Sequence, residues 1–536
     1  MRFFIITLLL IPVISFAQTK DYKNYDRAVK YNNEGNIVKA IKYANKALEK
    51  SSDWNKPNLL LASIYANNNQ IVLAADYLLK VYDENTFNDV KGIEQVVVLF
   101  YNNGFYKKAL YYAEKIILNN VEDLIFTSKI NRYIENCNFA IKVMKNPINF
   151  NSKNIGEIVN TNMTEYVNAI TIDATKILFT RRIESKKIRD QEDIFVFDIL
   201  SNTVSPLPFN TSQNEGAITV SADGTMYVYT ACDRINSIGG CDLHIREYSK
   251  ENGWSKEYNL GANINTSKWE SQACFSPDEK YLYFISNRAG GLGKEDIWRS
   301  EITNKGFMPA ENLGININTN QAEMSPFLHS DNLTLYFASN GHIGMGDDDL
   351  FVSRRLDNQQ EWGVPKNMGY PINTHNSENS LIVSSNGKTA YYTSNVSGFG
   401  KEDIFQFELP KNLQAEQLAD LEKDIITNKI GEEVILKNVS FANNSYSLQE
   451  NSFSELDKLI NYLKKNPNLH IEIQGHTDNV GNESDNQILS QQRAKVVFDY
   501  ISAMVKNKLT YKGFGESQPL GNIRKINRRT SFIIIY

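Results

Sequence analysis

The sequence is poor in the features that mark nucleic-acid binders, metalloproteins, hydrolases and membrane-spanning chains. It has no run of five or more Lys and Arg residues, and 57 basic against 62 acidic residues give a formal charge of −5 over 536 residues. Nucleic acid needs a concentrated basic face to displace its counterions, so DNA and RNA drop out as default partners. Six histidines (His244, His329, His342, His375, His470, His476) and four cysteines are scattered, with no CxxC and no Cys/His metal spacing, so no metal or other cofactor is expected. GxSxG and HExxH are missing, no paired-carboxylate site on an α/β scaffold stands out, and the chain is not expected to be an enzyme. Past the amino terminus nothing reaches eighteen uninterrupted apolar residues, the least that crosses a bilayer as a helix. What remains is ordinary packed protein, with 42% hydrophobic and 22% charged residues, 28 Tyr and 27 Phe. At roughly 100 to 200 residues per domain, the length implies about three or four folded units.

The first residues indicate export. Met1-Arg2 is a positive start, Phe3 to Ile14 is a mainly apolar run, and Ser15-Phe16-Ala17 sets small residues around a cleavage point before Gln18. Twelve residues rise only about 18 Å against about 30 Å of hydrocarbon, so residues 1–17 read as a signal peptide rather than an anchor. No cysteine follows the cleavage point, and a lipid-anchored start is not expected. In an exported chain Cys232 and Cys241, nine apart around Gly239-Gly240, form a candidate loop disulfide worth at most about 3 kcal/mol. Cys137 and Cys274 are expected to be buried as small apolar residues.

Three regimes of periodicity follow. Between residues 18 and 149 the pattern is helical with a period near 34. Ala28, Tyr31, Gly35, Ala40 and Ala44 recur as Ala62, Tyr65, Asn69, Ala74 and Leu78, then partly as Phe100, Gly104, Ala109 and Ala113. Small residues at fixed places let paired helices approach, and each unit buries its apolar face only by stacking on the next. The pattern resembles tetratricopeptide repeats, three units with a closing helical segment near Asn131 to Met144. Such arrays present a groove to a partner; a rigid spacer is the alternative.

Residues 150–410 switch to strand alternation with a repeat of 50 to 55. Glu165, Glu215, Glu270, Glu323 and Glu378 each stand eight before Asp173, Asp223, Asp278, Asp331 and Asn386, which sit in turns before alternating strands such as Tyr281-Leu282-Tyr283-Phe284. Asp193, Asp242, Asp296, Asp349 and Asp403 open a further strand in each copy. Asn154-Ile155-Gly156 with Asn160 resembles Asn259-Leu260-Gly261 with Asn265, yet the last copy ends without such a segment, so the first segment is expected to complete the last blade of a closed ring. The repeats resemble TolB-type, WD-like propellers, with five blades expected and six as the alternative. The repeated acids are sufficiently explained as turn and inter-strand acceptors. Asp347-Asp348-Asp349 reads as an acidic turn rather than a Ca²⁺ loop. Residues 411–430 are polar, fit neither period, and read as a linker.

Residues 431–536 alternate strand and helix into an α+β sandwich. Extended segments are expected at Val434 to Phe441, Leu469 to Gln474, Leu509 to Lys512 and Ser531 to Tyr536. Helices are expected at Ser452 to Lys465 and Ser484 to Lys506, with Ser452/Glu455 and Ser484/Gln487 as capping boxes. The second helix shows Leu489, Val496, Val497, Tyr500, Ile501 and Met504 on one stripe. Arg493 is the anomaly, because it borders that stripe and needs an anion. The turn Gly475-His476-Thr477-Asp478-Asn479 can bring Asp478 beside the start of this helix, near Asn486. The residues leave two readings level: an internal Asp478–Arg493 salt bridge, or a clasp in which Arg493 holds a carboxylate and Asp478 accepts from an ammonium.

Gly475-His476-Thr477-Asp478-Asn479-x-Gly481, Asn486, Leu489-Ser490, Arg493-Ala494, Gly513-Phe514-Gly515-Glu516, Pro519 and Asn527-Arg528-Arg529 together resemble the OmpA-like peptidoglycan-binding family. The resemblance implies that Asp478 and Arg493 hold the amino-acid end of diaminopimelate in a peptidoglycan stem peptide, with Thr477, Asn479, Asn486 and Arg528 around them. Two departures touch the rim. Only four residues separate Asn522 from Asn527, and Thr530-Ser531 replaces the family's apolar-acidic pair. The order of helical repeats, propeller and OmpA-like module after a signal peptide is similar to PorE-like exported proteins of Bacteroidota, although their amino-terminal lipid and extra β-domain are not found. That similarity implies a periplasmic adaptor docking an outer-membrane β-barrel of the PorP/SprF kind, in type IX secretion or gliding. A propeller that binds glycan or a small ligand, or belongs to a hydrolase, is the alternative.

Overall fold

In a computed structural model of the chain, the structure describes residues 20–82, 89–119, 122–183, 191–355, 361–396, 398–415, 431, 433–442, 445–521 and 524–535. The signal-peptide expectation and residues 416–430 of the linker expectation lie outside these residues. The chain divides into two compact units: residues 1–148 with 342–349 and 369–377, and the remainder. The first unit therefore reaches beyond the expected 18–149 to take in two later segments.

Among the described residues seven helices build the first unit: α1 (Tyr22–Asn33), α2 (Ile37–Leu48), α3 (Asn55–Asn67), α4 (Ile71–Val81), α5 (Val90–Tyr101), α6 (Tyr106–Leu118) and α7 (Leu124–Met144). Each packs on the next in chain order. The close approach runs through buried alanines, Ala28, Ala40, Ala44 and Ala47 in the first pair, Ala62 and Ala74 in the second, Ala109 and Ala113 in the third. A stacked aromatic pair recurs in step: Tyr31 with Tyr43 at 5.4 Å, Tyr65 with Tyr77 at 5.4 Å, Phe100 with Tyr112 at 6.0 Å. Gly35, Asn69 and Gly104 occupy one repeat position and are all left-handed, with φ of 72°, 58° and 75°. Each ends its helix while the following N–H returns five residues, as Asn36 to the Tyr31 carbonyl, a closure that glycine or asparagine makes cheaply. The last helix starts seven residues earlier than expected. Asp123 caps it by accepting from the Ile125 and Phe126 amides, while Leu124 and Ile125 are exposed and blur the apolar stripe. Within this unit Tyr106 donates to the Met345 carbonyl at 2.9 Å, and Ile148 donates its N–H to the Tyr370 carbonyl at 2.9 Å.

The second unit contains five antiparallel sheets of four or five strands, beginning with Glu165–Ile170, Glu215–Val220, Glu270–Phe275, Glu323–Leu328 and Glu378–Val383. These first strands contact one another in a closed cycle. The fifth sheet takes its outer strand from the start of the region, where Lys153–Asn154 pairs with Asp403–Glu408 (Lys153 opposite Gln406, Asn154 opposite Phe405).

The repeated polar residues are consumed in this scaffold. Glu165, Glu215, Glu270 and Glu323 are fully buried, and each accepts from the N–H and hydroxyl of the threonine four residues earlier. Asp242, Asp296 and Asp403 each accept two backbone N–H groups and an amide from Asn259, Asn312 or Asn154. Asp349 likewise accepts the N–H groups of Met345 and Gly346. Hydroxyls tie sheet to sheet: Thr180 Oγ1 accepts the Ala217 N–H at 2.9 Å and Thr393 Oγ1 accepts the Val167 N–H at 3.0 Å. Cys232 and Cys241 form a disulfide across paired strands, and Cys137 and Cys274 are buried free thiols.

The carboxyl-terminal part is a four-stranded sheet in the order Glu433–Ile435, Thr530–Ile534, His470–Gly475, Lys508–Gly513, the last pair parallel. Two helices, α8 (Glu450–Lys465) and α9 (Glu483–Ser502), supply its core through Leu456, Leu459, Leu463, Ala494, Val497 and Ile501. Both capping boxes are corrected. α8 begins before Ser452, whose hydroxyl instead donates to the Ser440 carbonyl, and α9 is capped by Asn482, which accepts from the Ser484 N–H. α9 also ends at Ser502, leaving Met504 exposed.

The closing segment generates a test. Asn160 is 1% exposed, accepts the Ile404 N–H at 2.9 Å and donates to the Ile404 carbonyl at 2.9 Å. The Ile404 carbonyl also accepts the Ile155 N–H at 3.2 Å, so Asn160→Ala strips the Ile404 N–H of this side-chain acceptor and the carbonyl of one donor, and should lower the unfolding free energy by about 1–3 kcal/mol in urea titration; an unchanged midpoint would show that this amide does not secure the ring.

Candidate functional site

The site in the carboxyl-terminal domain depends on backbones that approach too closely for side chains. A Cβ on Gly475 would lie 2.3 Å from the Ser490 carbonyl oxygen, and one on Gly513 would lie 2.3 Å from the Gln491 nitrogen. These contacts press the strand ends at 475 and 513 onto the first turns of α9. Accordingly the buried line of α9 starts with the polar residues Asn486 and Ser490 and becomes apolar only at Ala494, Val497 and Ile501.

The turn leaving the sheet is fixed by main-chain bonds. His476 donates its N–H to the Arg529 carbonyl, and Thr477 donates to the Gly515 carbonyl, each at 2.9 Å. Asp478 follows, 7% exposed, with Oδ1 accepting the Val480 N–H at 3.1 Å. Asn486 pins the turn from α9: its Nδ2 donates to the Asp478 and Val480 carbonyls, both at 3.2 Å, and to Glu516 Oε2 at 2.7 Å. Asn486 is thus a positioning residue for the carboxylate.

Arg493 is half-buried, with its guanidinium carbon 5.0 Å from the centre of the Phe441 ring and its Nε donating to the Ser445 carbonyl at 3.0 Å. Burial, with Arg528 nearby, pulls its pKa down to about 10 against the opposing attraction of Asp478. No ion pair within 4.0 Å joins Arg493 to Asp478, and among the described residues its Nη groups have no hydrogen-bond partner. The internal salt bridge, one of the two readings left level above, is not formed. Phe441 and Ser445 escaped the sequence reading, since they lie in an irregular segment remote from any motif.

The remaining predicted residues divide. Arg528 reaches both ways, with Nε 3.6 Å from Asp478 Oδ2 and Nη2 donating to Asp223 Oδ2 at 3.1 Å. Thr477 is buried, and its hydroxyl has no hydrogen-bond partner among the described residues. Asn479 is exposed at the tip of the turn. Arg529, by contrast, is a scaffold residue. It grips Glu433 through Nε at 2.7 Å and Nη2 at 3.1 Å, and Ser531 also donates to Glu433. Burial would raise the Glu433 carboxyl, but Arg529 and Ser531 hold it below its usual range. The Thr530-Ser531 departure is therefore used: Ser531 supports a carboxylate supplied by the edge strand.

Residues 440–531 match the OmpA family. The chain is 32% identical over 99 residues to outer membrane porin F of Pseudomonas aeruginosa, covering 17% of this chain and 28% of the porin. It is 32% identical over 103 residues to the peptidoglycan-binding protein ArfA of Mycobacterium tuberculosis, covering 18% of this chain and 32% of the relative. The solved peptidoglycan-associated lipoprotein of Burkholderia pseudomallei is 33% identical, covering 18% of this chain and 87% of that one, with a TM-score of 0.17. The chain thus carries a carboxyl-terminal OmpA family domain and spans about a third or less of the two curated relatives.

His476 gives the domain a pH signature. It is 1% exposed, stacks on Phe514 at 5.2 Å, and among the described residues neither ring nitrogen has a hydrogen-bond partner. Burial and Arg529 bring its pKa down to about 4, outweighing Glu433, whose oxygen lies 3.6 Å away. Below its unfolded value of about 6.5 the unfolded chain binds the extra proton, so stability falls as pH drops from about 6.5 towards 4. Relative to His476→Phe, wild type should lose up to about 3 kcal/mol across that window in urea titrations. Parallel pH profiles would contradict the neutral buried imidazole.

Proposed function

We propose that the protein is a non-enzymatic periplasmic adaptor, exported by residues 1–17, that binds peptidoglycan through residues 431–536. The carrying observation is a half-buried guanidinium whose Nη groups have no hydrogen-bond partner among the described residues, set near a buried carboxylate that does not pair with it. An ammonium and a carboxylate on one carbon, the free end of diaminopimelate in a stem peptide, complement this arrangement: Arg493 receives the carboxylate through its planar fork and Asp478 receives the ammonium. Arg528, which contacts Asp478 and also acts on Arg493, adds positive potential between the two, Asn486 sets the Asp478 turn, and the Thr477 hydroxyl and the exposed Asn479 complete the rim. The OmpA family match over residues 440–531 and the name of the ArfA relative support peptidoglycan as the ligand of a cell-envelope protein.

In this reading residues 18–149 are tetratricopeptide-like repeats, 150–410 form a five-bladed TolB-type propeller, and 411–430 are a linker. Repeats and propeller dock an outer-membrane protein, a β-barrel of the PorP/SprF kind in type IX secretion or gliding. The similarity of the three-part order to PorE-like proteins supports that partner class. The protein would then connect cell wall to outer membrane.

Co-sedimentation of the full mature chain with purified sacculi tests the grip. Each charge-assisted contact is worth about 1.5–3 kcal/mol, so Arg493→Ala and Asp478→Ala should each weaken binding by about 10- to 150-fold. Retention of wild-type binding by both variants, folded by circular dichroism, would defeat the assignment.

A further inference from the structure

The five-sheet ring holds a second site. A cavity of about 500 Å³ lies among the starts and ends of strands from the first three sheets, within the range of about 300–1,000 Å³ usual for small-molecule sites. Tyr166, Arg182 and Glu192 line it from the first sheet, Asn214 from the connection to the second, and Trp269 and Gln272 from the third.

Its polar groups are arranged unevenly. Tyr166 donates to Glu192 Oε2 at 3.0 Å, and Arg182 Nη2 lies 3.7 Å from Glu192 Oε1 with the arginine side chain 40% exposed. Asn214 Oδ1 accepts the Glu192 N–H at 3.0 Å, and Gln272 Oε1 accepts the Ser325 N–H at 2.7 Å. The acceptor ends of both amides are therefore occupied. Among the described residues, no hydrogen bond uses the Asn214 and Gln272 amide nitrogens or the Trp269 indole N–H, and the Arg182 guanidinium makes only its long contact with Glu192. The cavity offers unused N–H donors around a half-buried indole.

Charge decides between ligand classes. The donors favour an oxygen-rich ligand, but Arg182 and Glu192 cancel, so an anion would lose hydration without a net positive charge to replace it. A neutral polyol meets no such penalty. Its hydroxyl or amide oxygens accept from the N–H groups, its own hydroxyls donate to Glu192 and Tyr166, and its C–H face rests on the indole ring. The geometry points to a binding site for a neutral mono- or disaccharide on the first three sheets of the ring, separate from the carboxyl-terminal clasp.

Isothermal titration calorimetry on the full mature chain tests this with three peptide-free probes, N,N′-diacetylchitobiose, cellobiose and maltose. None carries diaminopimelate, so binding at the Asp478/Arg493 clasp does not enter the signal. Saturable binding of at least one is expected; preference for the acetylated probe assigns cell-wall-type glycan, and preference for a plain one assigns another glycan. Trp269→Ala and Asn214→Ala should each weaken that binding by about tenfold or more, with Gln272→Ala replacing Trp269→Ala if the latter fails to fold. Three outcomes overturn the site: no saturable heat from any disaccharide, affinity unchanged in the folded variants, or binding confined to N-acetyl-dialanine, a rival probe with a free carboxylate.

Discussion

A guanidinium keeps its charge in nearly every protein setting, so a half-buried one whose Nη groups are left over is a ready receptor for an anion. Arg493 sits in that position, over Phe441 with one N–H on a carbonyl, and the nearest candidate carboxylate, Asp478, stays out of ion-pair range. The domain leaves the two charges unpaired with each other, Asp478 lying instead 3.6 Å from Arg528 Nε. Asn486 ties down the peptide groups on both sides of Asp478, while Gly475 and Gly513 let strand ends and α9 meet at backbone distance. A Cβ at either glycine would push the turn away from the helix and separate the two halves of the clasp.

The ring of sheets solves a different problem with the same economy of side-chain polarity. Its recurring carboxylates look like a functional array when counted along the chain, but burial and short contacts with threonine, backbone N–H and asparagine account for them locally. Where the ring departs from its own repeat, chemistry becomes available. The cavity beside Trp269 combines an Arg182–Glu192 pair with amides whose donors are unused among the described residues.

Much of the architecture was legible because periodicity reports burial directly. Alanines spaced for helix contact, turn acids eight residues after each buried glutamate, and an orphan Asn154 segment at the start of the β-region all have one physical reading. The helix starts were less legible. Ser452 and Ser484 fit a capping formula, yet packing pulled one helix start earlier and gave the other to Asn482. Ala217, Gln272, Ser325 and Ser380 adopt φ near 50° at bulges in the first strands of their sheets; none is glycine, so composition offered no hint of the left-handed backbone. In the clasp, Asp478 and Arg493 could be picked out by motif and by an out-of-place charge. Phe441 and Ser445 could not, because only tertiary folding brings an irregular segment under Arg493.

The most direct measurement is a crystal structure of the full mature chain with meso-diaminopimelate. The account predicts the ligand carboxylate on the Arg493 fork at about 2.7–2.9 Å and its ammonium on Asp478. A cleft left empty at saturating ligand, with Asp478 and Arg493 bonded to each other, would contradict it.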